Sequence, residues 1–172
     1  MNEQEFEAVF WMLRPRLLRY AVAQLDPATS EDMVAETLLA IYRKDLAYPR
    51  DPGEVRGLYA LAFAILAGLI ANEYRARRRR TALTEKLVSR LEFPATVPSH
   101  EERLTGQWEV VDLLRLIPQA DRSVLLLFNA GFTTDEVADI LGCSPAAAAK
   151  RRTRAKARLQ SMLQGRQVAR DA

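Results

Sequence analysis

GFTTDEVADILGCSPAAAAKRRTRAKARLQ, residues 131–160, decides how the rest of the chain is read. Thr133 followed three residues later by Glu136 has the pattern of a capping box, in which hydroxyl and carboxylate each satisfy a backbone N–H at a helix start. The helix so opened carries Val137, Ala138, Ile140 and Leu141 on one side, and Gly142 ends it. Ser144 and Pro145 open a second helix, with a hydroxyl at the N-cap and a proline at the first helical position, where no N–H is needed. That helix is cationic, with Lys150, Arg151, Arg152, Arg154, Lys156 and Arg158. Two helices joined by a tight glycine-containing turn, the second basic, read as a helix-turn-helix whose second helix enters a DNA major groove.

Working outward, Val124, Leu125, Leu127 and Phe128 predict the preceding helix, and Trp108, Val111, Leu114 and Leu116 or Ile117 another that Pro118 ends. These complete a four-helix domain over residues 105–164, followed by a basic tail at 165–172. Pro94, Thr96, Pro98 and Ser99 mark a flexible linker over 81–104, with a short helical possibility at Leu83 to Leu91.

Residues 1–80 form the other domain. Phe6, Phe10, Leu13, Leu17, Tyr20 or Ala21, and Leu25 fall on one helical face, which Pro15 should kink or split by removing a hydrogen bond. Thr29 or Ser30 caps a second helix, EDMVAETLLAIYRKDLA, with acids in its first turn and bases in its last. A loop at Tyr48 to Gly53 leads to a third helix from about Glu54 to Arg80, apolar for most of its length and arginine-rich at its end. The expected fold is all-α: a three- to four-helix bundle and a four-helix helix-turn-helix domain, with no strand pattern and no internal repeat.

The net charge is only +3, but the charges are segregated. Residues 75–80 contain five arginines, residues 105–144 carry six acids and two bases, and the last 28 residues hold eight Lys or Arg against Asp171 alone. Five arginines at the exit of an apolar helix make a strip suited to phosphates through counterion release. One cysteine and one histidine, Cys143 and His100, supply neither a disulfide framework nor a four-ligand zinc site, and a reducing, cytoplasmic home follows. Cys143 reads as a packed thiol and His100 as an exposed linker residue. The first residues lack the basic leader of a signal peptide. LYALAFAILAGLIA, residues 58–71, is shorter than the roughly 20 residues that span a bilayer and reads as a helix buried on all sides, so no membrane insertion is expected.

Together these segments resemble a bacterial sigma factor of the extracytoplasmic-function (ECF) group, over nearly the whole chain. In the C-terminal half the resemblance rests on Leu116, Pro118, Arg122, Leu126, Gly131, Glu136, Val137, Ala138, Leu141, Gly142, Ser144, Arg151, Arg154, Ala155 and Leu159. In the N-terminal half it rests on Glu31, Asp32, Glu36, Leu38 and the arginine-rich end of the third helix. Such proteins are dissociable specificity subunits of RNA polymerase. The resemblance implies that Asp32, Glu36, Leu39 and Arg43 dock on a coiled coil of core RNA polymerase. It implies that residues 45–57 and the start of the third helix capture an unpaired base of the minus-ten element. Asn72, Arg75, Arg77, Arg78, Arg79 and Arg80 then hold the promoter backbone nearby. The helix-turn-helix would read the minus-35 element of promoter DNA through Ser144, Ala146, Ala147, Lys150, Arg151, Arg154 and Arg158. An anti-sigma factor is the usual regulatory partner of the family.

The sequence departs from the family at several positions. Ala146 to Ala149 stand where glycine-threonine-valine-lysine is usual, leaving base reading to lean on thymine methyl contacts and DNA shape. Arg152 occupies an inward leucine position and must snorkel or shift the helix. Ala35 replaces a glutamine. The tryptophan-leucine pair of the third helix is missing, and two registers place Gly68 or Ile65 at a common asparagine and Asn72 or Leu69 at a common aspartate. Two other binding functions fit the same residues: a sigma-like decoy that titrates an anti-sigma factor, and a helix-turn-helix regulator working without polymerase, which would need a dimer and a palindromic site. An enzyme is not expected. The sequence has no paired carboxylates in an apolar setting, no glycine-rich phosphate loop, no nucleophile beside a histidine motif, and no signature of a cofactor or small-molecule substrate.

Overall fold

The computed structural model describes the backbone of residues 1–91 and 107–170, and side chains for 1–84 and 112–164. His100 and the prolines of the expected linker lie outside the described residues. Seven helices and no strand are found among those described: α1 (Glu3–Val22), α2 (Pro27–Arg43), α3 (Pro52–Leu91), α4 (Gln107–Leu116), α5 (Gln119–Asn129), α6 (Thr134–Leu141) and α7 (Pro145–Arg170). The chain is all-α, with α1 to α3 forming one helical unit and α4 to α7 the other.

Local chemistry accounts for the ends. Asn2 and Glu5 form a capping box at α1. Pro15 neither splits nor ends that helix, contrary to expectation. The carbonyl it leaves unpaired belongs to Trp11, four residues back, which is 62% exposed and can be solvated. The cap of α2 is Asp26, not Thr29 or Ser30. Asp26 Oδ1 accepts from the Thr29 N–H at 2.9 Å and Pro27 takes the first helical position, so Glu31 and Asp32 fall beyond the first turn. Asp51 likewise accepts from the Gly53 and Glu54 N–H groups, and α3 starts at Pro52 inside the expected loop. Nothing between Gly68 and Pro94 breaks a helix, so α3 runs to Leu91 through the boundary expected at Arg80. Helix α7 similarly takes in the start of the expected tail.

The core is continuous across the two units. Leu13, Leu17, Val34, Leu38 and Ile41 of α1 and α2 pack on Ala62, Phe63, Leu66 and Ile70 of α3, all buried. The same cluster takes in Val124, Leu127, Phe132, Val137, Ala138, Ile140 and Ala148 from the C-terminal unit. Phe63 is the joint: its ring meets Tyr20 edge-on at 5.3 Å and Phe132 edge-on at 5.3 Å. By length and composition alone Pro52–Thr84 could cross a membrane. Its apolar stretch is instead covered by α1 and α2 on one side and by α6 on another, while Gly68 stays exposed, so it is not buried all round as expected. A smaller cluster of Ala23, Leu114, Ile117 and Ala155 joins the end of α1 to α4 and α7.

Polar contacts reinforce the joint. Arg122, 5% exposed, donates to the carbonyls of Arg115 and Ile117 at 2.8 Å each, and to Tyr74 Oη at 3.1 Å. Ser123 donates to Gln24 Oε1 at 2.8 Å, and Arg115 donates to the Leu25 carbonyl at 3.0 Å. Arg56, near the start of α3, donates to both carboxylate oxygens of Glu136 and to the Gly131 carbonyl at 3.0 Å.

Candidate nucleic-acid interface

Helix α6 has the expected capping box, with the Thr133 N–H donating to Glu136 Oε2 at 2.7 Å and the Glu136 N–H to Thr133 Oγ1 at 3.3 Å. Gly142 ends it at φ 59°, ψ 44°, a left-handed conformation that turns the chain into α7. Ser144 Oγ accepts from the Ala147 N–H at 3.2 Å. Ala148 and Ala155 point inward with no exposure, and Leu159 packs against the cluster that holds Ala155.

Arg152, at an inward position, stacks with its guanidinium carbon 4.2 Å from the Phe128 ring centroid. It thus slides along an aromatic face without displacing α7, although its buried Nε finds no partner. Ala146 and Lys150 are exposed, as are Thr153 and Ala157, so these four share the outward face. Thr153 was missed in the sequence, where its only signal is the spacing of three from Lys150. Ala147 and Arg151 are half-buried. Arg154 and Arg158 lie on the flank and bind Asp121 of α5: Arg154 Nε donates to Oδ2 at 2.7 Å, Nη2 to Oδ1, and Arg158 Nη1 to Oδ2 at 3.2 Å. The Arg154 guanidinium holds the Asp121 carboxyl below the usual carboxylate range. No sequence signal ties residues so far apart.

The arginine strip divides in two. Arg77 donates to Glu73 at 2.7 Å, to Asp26 at 2.8 Å and to Thr29 Oγ1 at 3.2 Å, which fastens α3 to the start of α2. Arg80 donates to the same Glu73 oxygen at 2.9 Å, and Arg75 to Asn72. The Thr29 N–H, and then Arg77, push the Asp26 carboxyl far below its ordinary value. Arg78 and Arg79 are exposed.

On α2, Asp32, Glu36, Leu39 and Arg43 are all exposed and follow the spacing of one helical stripe. Leu39 and Tyr42, 44% and 51% exposed, border an apolar groove of about 340 Å³ completed by Phe6, Phe10, Ala35 and Leu38. Phe6 and Phe10 fall on the apolar face that the spacing of α1 defines, and nothing in that spacing distinguishes a groove from a core. Between the units, Ala64, Ala67, Gly68 and Ala71 of α3 face Ile140, Gly142 and Arg151 across a cleft of about 430 Å³. Gly68, one candidate for the base-capture register, therefore lies beneath the helix-turn-helix. Among the described residues no three His, Cys, Asp or Glu side chains gather as a metal site.

Residues 107–159 match the sequence profile of Sigma-70, region 4, which spans α4 to α7 up to Leu159. An ECF RNA polymerase sigma factor, EcfG of Rhodopseudomonas palustris (strain TIE-1), is 30% identical over 151 residues, covering 87% of this chain and 80% of that protein. Among solved structures, the fold is similar to the sigma factor RpoE bound to the anti-sigma factor NepR from Bartonella quintana. That match has a TM-score of 0.70 and 23% identity over 94% of this chain and 98% of the other. It is also similar to CnrH in complex with the cytosolic domain of CnrY, at TM-score 0.65 and 23% identity over 95% and 90% of the two chains. Sequence match across most of both chains, an intact helix-turn-helix and the shared two-unit fold agree: the chain belongs to the ECF sigma factors of the sigma-70 family.

Proposed function

We propose that this sigma factor, which directs RNA polymerase to promoters, divides its work among three surfaces. The stripe of Asp32, Glu36, Leu39 and Arg43, with the adjoining groove of Phe6, Phe10 and Tyr42, docks on core polymerase. The start of α3, Asn72 and the arginine strip serve the minus-ten region, with exposed Arg78 and Arg79 as the phosphate contacts. Helix α7 serves the minus-35 element, with Lys150 and Thr153 facing the groove and the Ala146 methyl placed for thymine contact. The units over 1–80 and 105–164 act as separate DNA-binding bodies once bound. The protein has no chemistry of its own, works in the cytoplasm and, like the sigma factor RpoE whose fold it shares, takes a protein anti-sigma factor.

The observation that carries the reading is the construction of α7. An N-capped helix with Ala148 and Ala155 turned in and Lys150 turned out is fixed to its scaffold on one face and offers a cation on the other. Run-off transcription with core polymerase and a promoter library tests it. Transcripts that depend on this protein, and that weaken when the minus-35 sequence is scrambled, are expected. Co-purification with core polymerase and no transcript on any template would instead support the decoy reading, which the Ala146 to Ala149 run favours.

A further inference from the structure

Asp121 stands in the first turn of α5 with its side chain 1% exposed, yet both partners it holds belong to the recognition helix. A buried ion pair is an inefficient tie between helices, because apolar side chains of similar volume often stabilise as much or more. Apolar contact is already present there, with Leu125, Leu126 and Leu159 packed against the cluster that holds Ala155. What an acid adds is orientation. An arginine carries five N–H donors in a rigid fork, and Asp121 takes the Nε and one Nη2 hydrogen of Arg154. The far end of that fork is left outward: Arg154 remains 48% exposed and Arg158 43%. Phosphate contacts set a protein's register on the duplex, whereas base contacts specify the sequence.

We propose that Asp121 is a positioning residue for promoter recognition: it fixes Arg154 and Arg158 on the flank of α7 as two oriented backbone-phosphate contacts, and so sets the register in which Lys150 meets the base edges. The inference rests on the assignment of α7 to DNA. Freed of the acid, the two arginines keep their charge and still find phosphates, but from several directions. Sequence discrimination then falls while the electrostatic part of binding stays.

The test is duplex promoter binding by the holoenzyme, comparing minus-35 variants across roughly 0.05 to 0.2 M salt. Asp121→Asn should lower discrimination between the best and the scrambled element by about tenfold, the size of one good base contact. The slope of log affinity against log salt should be unchanged or steeper. Asp112→Asn, which removes an equal charge from an exposed position of α4 outside the helix-turn-helix, should change neither. A purely structural acid gives a different pattern, with weaker binding to every sequence and a shallower slope. If Asp121→Asn loses helix content, Arg154→Lys with Arg158→Lys replaces it, since a lysine keeps the charge but lacks the fork. The same loss of discrimination at an unreduced slope is expected. Intact discrimination in these variants overturns the inference alone. A wild-type holoenzyme indifferent to the minus-35 sequence overturns the assignment of α7 and the inference with it.

Discussion

Arg152 and the arginine strip show how single side chains decide what a basic segment can do. Arg152 sits where an apolar residue would pack, stacked over Phe128, with its Nε buried and without a partner. A buried unpaired donor costs on the order of 1 to 3 kcal/mol, and stacking on the ring recovers part of that. Arg152→Leu should therefore stabilise the protein by about 1 kcal/mol, read as a higher urea midpoint at unchanged m-value. A lower midpoint would mean that the stacked guanidinium outweighs its buried donor. In the strip, Arg77 and Arg80 already serve Glu73 and Asp26, leaving Arg78 and Arg79 turned to solvent. Replacing Arg78 and Arg79 together by alanine should flatten the salt dependence of promoter binding by up to about 0.9 per lost phosphate contact, with the thermal midpoint kept. Arg77→Ala should do the reverse, loosening α3 from the start of α2 and lowering the midpoint. Equal slopes in wild type and the Arg78, Arg79 variant would remove the strip from the DNA interface.

At the scale of elements, what could be read was whatever local chemistry determines. The capping box at Thr133 and Glu136, the left-handed Gly142 and the Ser144-Pro145 start all stand as the sequence implied, because each acts within four residues of itself. The N-cap of α2 was misplaced because Asp26, Thr29 and Ser30 all have capping chemistry, and only the geometry around Pro27 selects Asp26. Pro15 misled because the cost of a proline depends on whether its orphaned carbonyl reaches water, which sequence does not reveal. Of the candidate interface, Lys150 as a DNA-facing residue was legible in the basic helix, whereas the Asp121 contacts and the groove beside Tyr42 are tertiary and had no local signal. Glu136 belongs to both kinds, since it completes the cap of α6 and binds Arg56 of α3. The two roles separate by mutation. Thr133→Ala should cost about 1 kcal/mol as a lost N-cap. Glu136→Gln should keep the cap, because glutamine also serves at that position, and lose only the ion pair. Urea unfolding of both variants checks this, and an unchanged midpoint in Glu136→Gln beside a lowered one in Thr133→Ala would mean that the cap alone matters.

At the scale of the whole molecule, the packing of the two units bears directly on function. The helix-turn-helix lies over Gly68 and Ala71 of α3, and Phe132 closes on Phe63. The minus-ten and minus-35 elements are separated by roughly 80 Å of duplex at 3.4 Å per base pair. With the two units assigned to the two elements as proposed, this packed arrangement cannot serve both at once, and promoter engagement would require the units to part. Arg56 is the polar tie most exposed to change, because Glu136 is its partner and is also titratable. The Arg56 guanidinium, then the Thr133 N–H, hold the Glu136 carboxyl down to about 2, against an ordinary glutamate value near 4.3. The tie is therefore fully present above about pH 5 and is lost as the pH falls toward 2, and neutral pH favours the packed form. At neutral pH, Arg56→Ala should shift the balance toward separated units by a few-fold, the modest size expected of a half-exposed pair. Cys143, the chain's one cysteine, packs at the edge of the shared core and reports on the change. Its reaction with a thiol reagent should quicken by the same factor in Arg56→Ala, and small-angle scattering should show a larger radius of gyration. Acidification toward pH 3 should expand the wild type and leave Arg56→Ala nearly unchanged. If Cys143 reacts at the same rate in both proteins and their radii coincide across that range, the tie does not govern closure, and the apolar joint at Phe63 and Phe132, with the contacts of Arg115, Arg122 and Ser123, holds the units together without it.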